Sequence, residues 1–443
     1  MGPQSTIAPA DRQRLLAGHD EFLFPCARPF YRSPLVLEEA QGVWVKDMEG
    51  CEYLDLFAGI LTTSIGHCHP AVTEAVTRQM AQIGHTSTLY VTRNQIDVAS
   101  RIADLAPGGL TRSFFTNSGT EAVETAVTLA CIFTGRTEVI ALKLGYHGRS
   151  MLATNLTAHA PWRPLPSSVA GIKHAMSPYP YRCPFRTPCD ETCVDRFARD
   201  LEEVIETTTN GRPAALIAET IQGVGGFVVP PLGYFERVAE IIRGVGGLLI
   251  IDEVQAGWGR TGEHWFGIQH WSVEPDIMVT AKGVANGFPV GVTTTRGEIA
   301  ESWTPKTIST FGGNPISMAA AAATLEVMTQ EDTPARAAAR GEQLGAALQG
   351  LAARHDWIGE ARGMGLMWGL EIVDDRESKT PAPARAVALL EAAKEEGLLI
   401  GTGGLHGHVI RIGPSMLIEE DELDEGITRL ARACALVENR GAR

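Results

Sequence analysis

Five short apolar runs set the frame for this chain: "SFFTN" (113–117), "EVIALK" (138–143), "AALIAE" (214–219), "LLIIDE" (248–253) and "DIMVTA" (276–281). Segments with helical character separate them, such as 119–135 and 234–246. This alternation predicts a mostly parallel sheet with helices on both faces, because strands buried on both sides read as continuous apolar runs. After about residue 315 the texture changes. "SMAAAAATLEVM" opens an Ala-rich helix, and "GLMWGLEIV" and "HVIRIGPSM" read as strands of a second sheet. "GVWVKDMEGCEYLDL" reads as a hairpin turning at Glu49-Gly50. Residues 151–200 interrupt the rhythm with a Pro-rich excursion. The expected architecture is α/β, with an N-terminal segment (1–60), a large domain (61–315) and a small α+β domain (316–443).

Charge and cysteine usage exclude several classes of partner. A formal charge of −14 argues against nucleic acid or an anionic membrane. No run of eighteen apolar residues predicts a membrane span. The first residues lack the basic-then-apolar pattern of a secretory signal. Eight scattered cysteines predict a reducing, cytoplasmic setting. Three of them, Cys183, Cys189 and Cys193, lie in "CPFRTPCDETC". The first gap is five residues and no obvious fourth ligand follows, so a loop of free thiols is expected and no metal site.

The polar residues at strand ends carry the chemistry. Open parallel sheets bind ligands at the carboxyl ends of their strands. "TNSGTEAVETA" passes from strand to helix through Ser118, Gly119 and Thr120, whose backbone N–H groups and helix dipole suit a phosphate. Taken alone it could equally be a simple N-cap. Asp252 ends an apolar strand, where a carboxylate is costly unless it holds a cation. Glu253 beside it reads as a satisfied structural carboxylate. "GYHGRS" supplies an aromatic Tyr146, His147 and a basic Arg149. Lys282 follows "PDIMVTA" directly: a solvated surface residue, or a desolvated nucleophile. Together these offer a phosphate cradle, an aromatic platform, a buried anion and an amine, which is the set that pyridoxal phosphate chemistry needs.

At this point the chain resembles the class III aminotransferases, of the fold type I, aspartate aminotransferase-like superfold. The resemblance rests on "IGHCHP" (65–70), "TNSGTEAVE" (116–124), "YHGRS" (146–150), "AETIQG" (218–223), "IIDEVQAGWGRTG" (250–262), "PDIMVTAKGVANGFPVG" (275–291) and "STFGGNPISMAAAAATLEV" (309–327), in order and over most of the chain. It implies pyridoxal 5′-phosphate as cofactor and these roles. Lys282 would bind the cofactor's aldehyde and shuttle a proton. Asp252 would pair with the ring nitrogen. Tyr146 and Val254 would cover the two ring faces, and Gln255 would bond the ring oxygen. Ser118, Gly119 and Thr120 would hold the phosphate. Thr310 would reach the phosphate of the neighbouring subunit, making a homodimer, or a dimer of dimers, the active form. Arg411 and Arg149 would grip substrate carboxylates. His147 would add to the cofactor site, and Glu219 would stand behind it.

Two departures bear on substrate. The family commonly has proline at position 220, where this chain has Thr220. It commonly has a glutamate that masks the substrate arginine at position 224, where this chain has Val224. An unmasked Arg411 suits small keto acids such as pyruvate or glyoxylate, with alanine, β-alanine or 4-aminobutyrate as amino donor. A lyase, decarboxylase or racemase on the same scaffold would keep the same lysine and aspartate.

Overall fold

The computed structural model describes residues 9–185 and 192–441. Its largest sheet has seven strands, in the order Arg112–Thr116, Gly291–Thr295, Ile277–Ala281, Leu248–Asp252, Ala215–Glu219, Val139–Leu142 and Ile172–Ala175. The last five are mutually parallel. Gly291–Thr295 runs antiparallel to both of its neighbours. Every residue of the four strands from Ile277–Ala281 to Val139–Leu142 is buried, as double-sided helical cover demands.

The five apolar runs all form strands of this sheet. Gly291–Thr295 and Ile172–Ala175 complete it without having been anticipated. "GVTTT" carries three threonines and no long apolar run. "IKHA" lies inside the Pro-rich excursion and pairs only with Val139–Leu142. Gly291–Thr295 pairs with the strand just before it and with the distant Arg112–Thr116, and tertiary pairing of this kind is not encoded in local composition.

Helix Gly119–Thr134 shows how the sheet is covered. Its buried residues, Ala122, Val123, Ala126, Val127 and Ala130, recur at helical spacing. They join Ile217, Ile250, Ile277 and Val279 of the strands in one apolar cluster. The Ser118 hydroxyl accepts from the Glu121 amide, while Glu121 accepts from the Asn117 amide and the Ser118 hydroxyl, which fixes the start. Gly135, at φ +67°, ends it.

Two smaller sheets flank the large one. Ile358–Met364, Met367–Ile372, Val409–Ile412 and Gly401–Gly403 form an antiparallel sheet. Leu37–Gln41, Trp44–Asp47 and Glu52–Asp55 form a meander whose second hairpin turns at Gly50, φ +85°. Leu398–Leu399 adds to it in parallel, beside Leu54 and Asp55. The chain's beginning is thus stitched to a segment more than three hundred residues later.

The thiol expectation is corrected in part. Cys183 is free, but Cys193 is disulfide-bonded and fully buried. Cys189 lies outside the described residues. Among the described residues no helix is long and apolar enough to cross a membrane.

Candidate active site

The carboxyl ends of neighbouring parallel strands lie level, since Glu219 is in register with Asp252, and Asp252 with Val279. A pocket of about 710 Å³ opens over them, lined among others by Ser118, Tyr146, Asp252, Gln255 and Lys282. Lys282 follows strand Ile277–Ala281 directly and stands at φ +47°, a costly conformation for a residue with a Cβ, of the kind that gathers at functional sites. Burial, with Arg411 nearby, lowers its amine to about 8, against the pull of Glu219 and Asp252. Asn286 holds the following turn by accepting from the Ile65 amide and donating to the Gly66 carbonyl.

Asp252 and Glu253 are adjacent in sequence and separate in function. Asp252 faces the pocket, buried, with its Oδ2 2.8 Å from His147 Nδ1 and its Oδ1 accepting from the Val254 amide. Glu253 points away and accepts from Thr220 Oγ1 at 2.6 Å and from the amides of Gly267 and Ile268. Burial raises it to about 6. It is the satisfied structural carboxylate expected of it. Thr220, the departure at the usual proline, is its hydroxyl donor.

In the pocket wall, Glu219 accepts from the amides of Tyr146 and Gly223, both at 2.8 Å. Burial, with Asp252 adding, raises it to about 7. His147 lies between these carboxylates in effect, bonded to Asp252 and opposing the rise at Glu219.

At the phosphate loop the side chains are occupied. Thr120 Oγ1 lies 2.7 Å from Ser150 Oγ and accepts from the amides of Arg149 and Ser150. The groups left to an anion are the first backbone N–H groups of the helix, which have no intrahelical acceptor. A Cβ at Gly119 would come within 3.3 Å of Val254 Cγ2, so glycine keeps this backbone close to the pocket. Tyr146 is steadied by an edge contact with Trp162 at 5.7 Å.

Arg149 lines the rim and is exposed. Thr310 is exposed and does not line the pocket of its own chain. Arg411 is buried beside the pocket. It donates to the carbonyls of Thr402 at 2.9 Å and Gly223 at 3.3 Å. Its guanidinium carbon lies 5.0 Å from the Phe57 ring and 5.4 Å from the Phe227 ring. Burial lowers it to about 10, with Glu219 opposing. Among the described residues no carboxylate stands within ion-pair distance of it. Sequence reasoning missed Phe57, Phe227, Trp162 and the lining residues Thr62 and Phe288. Only Phe288 had a local signal, inside "NGFPVG".

The chain matches the family model described as "Aminotransferase class-III" over residues 27–434. The chain belongs to the class-III aminotransferases. It is 39% identical to the Arabidopsis thaliana alanine–glyoxylate aminotransferase 2 homolog 2, mitochondrial, over 93% of this chain and 85% of the relative. An (S)-enantioselective omega-transaminase from Thermomicrobium roseum superposes with a TM-score of 0.89 at 34% identity, covering 96% of this chain and 98% of that one. A phospholyase from Arthrobacter in complex with phosphoethanolamine superposes with a TM-score of 0.88 at 31% identity, covering 95% and 99%.

This class-III aminotransferase is a fold type I enzyme that depends on pyridoxal phosphate. The residues present fit that group. Gln255 Oε1 is buried without a partner at the pocket, so a ring hydroxyl could satisfy it. Asp252 is a buried carboxylate suited to a protonated ring nitrogen, and the Gly119 backbone with its helix dipole suits the phosphate.

Proposed function

We propose that the enzyme moves an amino group between a small carboxylate-bearing amine, such as alanine, β-alanine or 4-aminobutyrate, and a small keto acid, pyruvate or glyoxylate. The observation that carries this reading is Arg411, a buried cation met by carbonyl oxygens and aromatic faces rather than by an acid. Val224, in the place of the usual masking glutamate, is buried close by: its carbonyl accepts from Gly404, and Gly403 packs against both Val224 and Arg411. A buried cation without a counter-ion is costly, and a substrate carboxylate would relieve that cost. The relative named for alanine and glyoxylate supports the same pair of substrates.

When bound, pyridoxal phosphate supplies the electron sink that makes a bond at the substrate Cα labile. The chain's own residues do the rest. Asp252, fixed by His147 and the Val254 amide, would keep the ring nitrogen protonated. Lys282, whose amine burial lowers to about 8, would move the proton at the substrate Cα. Tyr146 and Val254 would cover the ring, and Gln255 would bond its oxygen. The backbone at Ser118, Gly119 and Thr120 would hold the phosphate from within the chain. Thr310, exposed and clear of its own pocket, would hold it from a partner subunit, making a homodimer the active form. Arg149 adds a second carboxylate anchor at the rim.

The test is a half-reaction. The holoenzyme is mixed with one amine at a time, and its visible absorption is followed. Alanine, β-alanine or 4-aminobutyrate should convert it to the pyridoxamine form, and pyruvate or glyoxylate should restore it. The phospholyase likeness gives a second reading, elimination chemistry on the same scaffold. That reading wins if an amine is consumed while the aldehyde form persists and no keto acid appears.

A further inference from the structure

We propose that Glu263, His264 and His270 form a zinc site on the surface of the large domain, apart from the active site. One ligand atom from each lies within 4.8 Å of the other two. The histidine rings meet edge to face, with centroids 4.8 Å apart. None of the three lines the active-site pocket.

The fold brings these groups together across a loop. Gly262 and Glu263 are both left-handed, at φ +79° and +59°. The chain therefore reverses sharply and carries Glu263 and His264 back over His270, which sits on the short helical turn Gly267–Trp271. The reversal is anchored: the Glu263 amide donates to the Pro334 carbonyl, and Gly262 packs against Ala338 with no room for a Cβ.

The donor set is chemically apt. Two imidazoles and a carboxylate are a common three-ligand set for zinc, and they leave a fourth position for water. The nitrogen-rich set favours zinc over magnesium or calcium, which prefer oxygen donors. His270 Nε2 lies 3.2 Å from Thr261 Oγ1, a contact that restrains the ring on its turn. Glu263 is exposed and both histidines are half-buried, so an ion has an open path in. Bound there, zinc would close the 261–270 loop as a staple. It would have no part in amino transfer.

The experiment uses tag-free holoenzyme, stripped with a chelator and then equilibrated with zinc in competition with a chromogenic chelator. The expected result is one zinc per chain, and a rise in Tm with zinc. His264→Ala and His270→Ala should each weaken binding by roughly 10–100-fold or more, and Glu263→Gln by less. Amino-transfer rates of all three variants should stay unchanged. Should His264→Ala fold poorly, His264→Gln keeps the volume and removes the imidazole. The proposal is overturned if the native chain retains no zinc against the chelator. It is equally overturned if the His264→Ala/His270→Ala double variant retains as much zinc as the native chain.

Discussion

Two arginines on the same small sheet, Arg411 buried and Arg362 partly so, are treated in opposite ways. Arg362 is ion-paired with Glu360 at 2.7 Å and Glu371 at 2.8 Å. Glu371 also receives Arg182, His408 and the Tyr179 hydroxyl, and these partners hold its carboxyl well below the usual range despite burial. Arg411 lies on the neighbouring strand, where Gly369 pairs with it and Glu371 pairs with Val409. It receives carbonyls and rings alone. The fold can thus supply carboxylates to an arginine of this sheet and does so two residues away in register. The difference marks Arg362 as a structural cation, whereas Arg411 meets no carboxylate among the described residues, as its proposed role toward a substrate carboxylate requires.

The largest effect should come from the pocket that Arg411 lies beside. Lys282→Ala should fold, yet its turnover should fall by at least roughly 10²–10⁴-fold, since it loses a positioned proton carrier and nucleophile together. Steady-state transamination assays check this. Near-normal turnover would remove the lysine from the mechanism and leave Arg411 no reaction to serve.

Next come the two arginines themselves. Arg362→Ala takes one of its two arginines from Glu371 and the only arginine within ion-pair reach of Glu360 among the described residues, and should cost about 3–5 kcal/mol of stability, read from denaturant unfolding. Arg411→Ala strands no carboxylate, so its unfolding midpoint should barely move. Its kcat/KM for pyruvate or glyoxylate should drop by the equivalent of about 2–5 kcal/mol, while amines without a carboxylate react much as before. Equal loss of stability in the two variants would break the comparison.

A smaller effect tests whether the site is completed by a second chain. Thr310→Val should weaken cofactor retention by about 1.5–3 kcal/mol, the worth of a hydrogen bond to a charged group, and leave the dimer intact by light scattering. A fully active monomer would rule out this role. The smallest is Thr220→Val, which removes one of three donors to Glu253 and should cost about 0.5–1.5 kcal/mol of stability with little change in kcat. A large loss of kcat there would show that Glu253 is no bystander.

The chain's alternation of apolar runs and helices specified the large sheet, because strands buried on both faces must be apolar throughout. Lys282, Asp252 and the Ser118–Thr120 turn were legible for a related reason. Each is a polar residue at the end of such a run, where only a ligand or a partner makes it tolerable. The strands "GVTTT", inside the sheet, and "IKHA", at its edge, were not legible, since neither carries an apolar run and the place of each is set by tertiary pairing. Nor was the reason for Thr220, which became clear only with Glu253 lying under its hydroxyl at 2.6 Å. The sequence likewise placed Arg411 in a strand and could note that Val224 replaces an acid. It could not place Phe57 and Phe227 around the guanidinium, or set Arg362 among carboxylates on the same sheet. Local pattern determines which residues can be buried. Which buried charge meets an opposite charge is decided only when distant segments close over it, and here that closure sets one arginine among carboxylates and the other among carbonyls and aromatic rings.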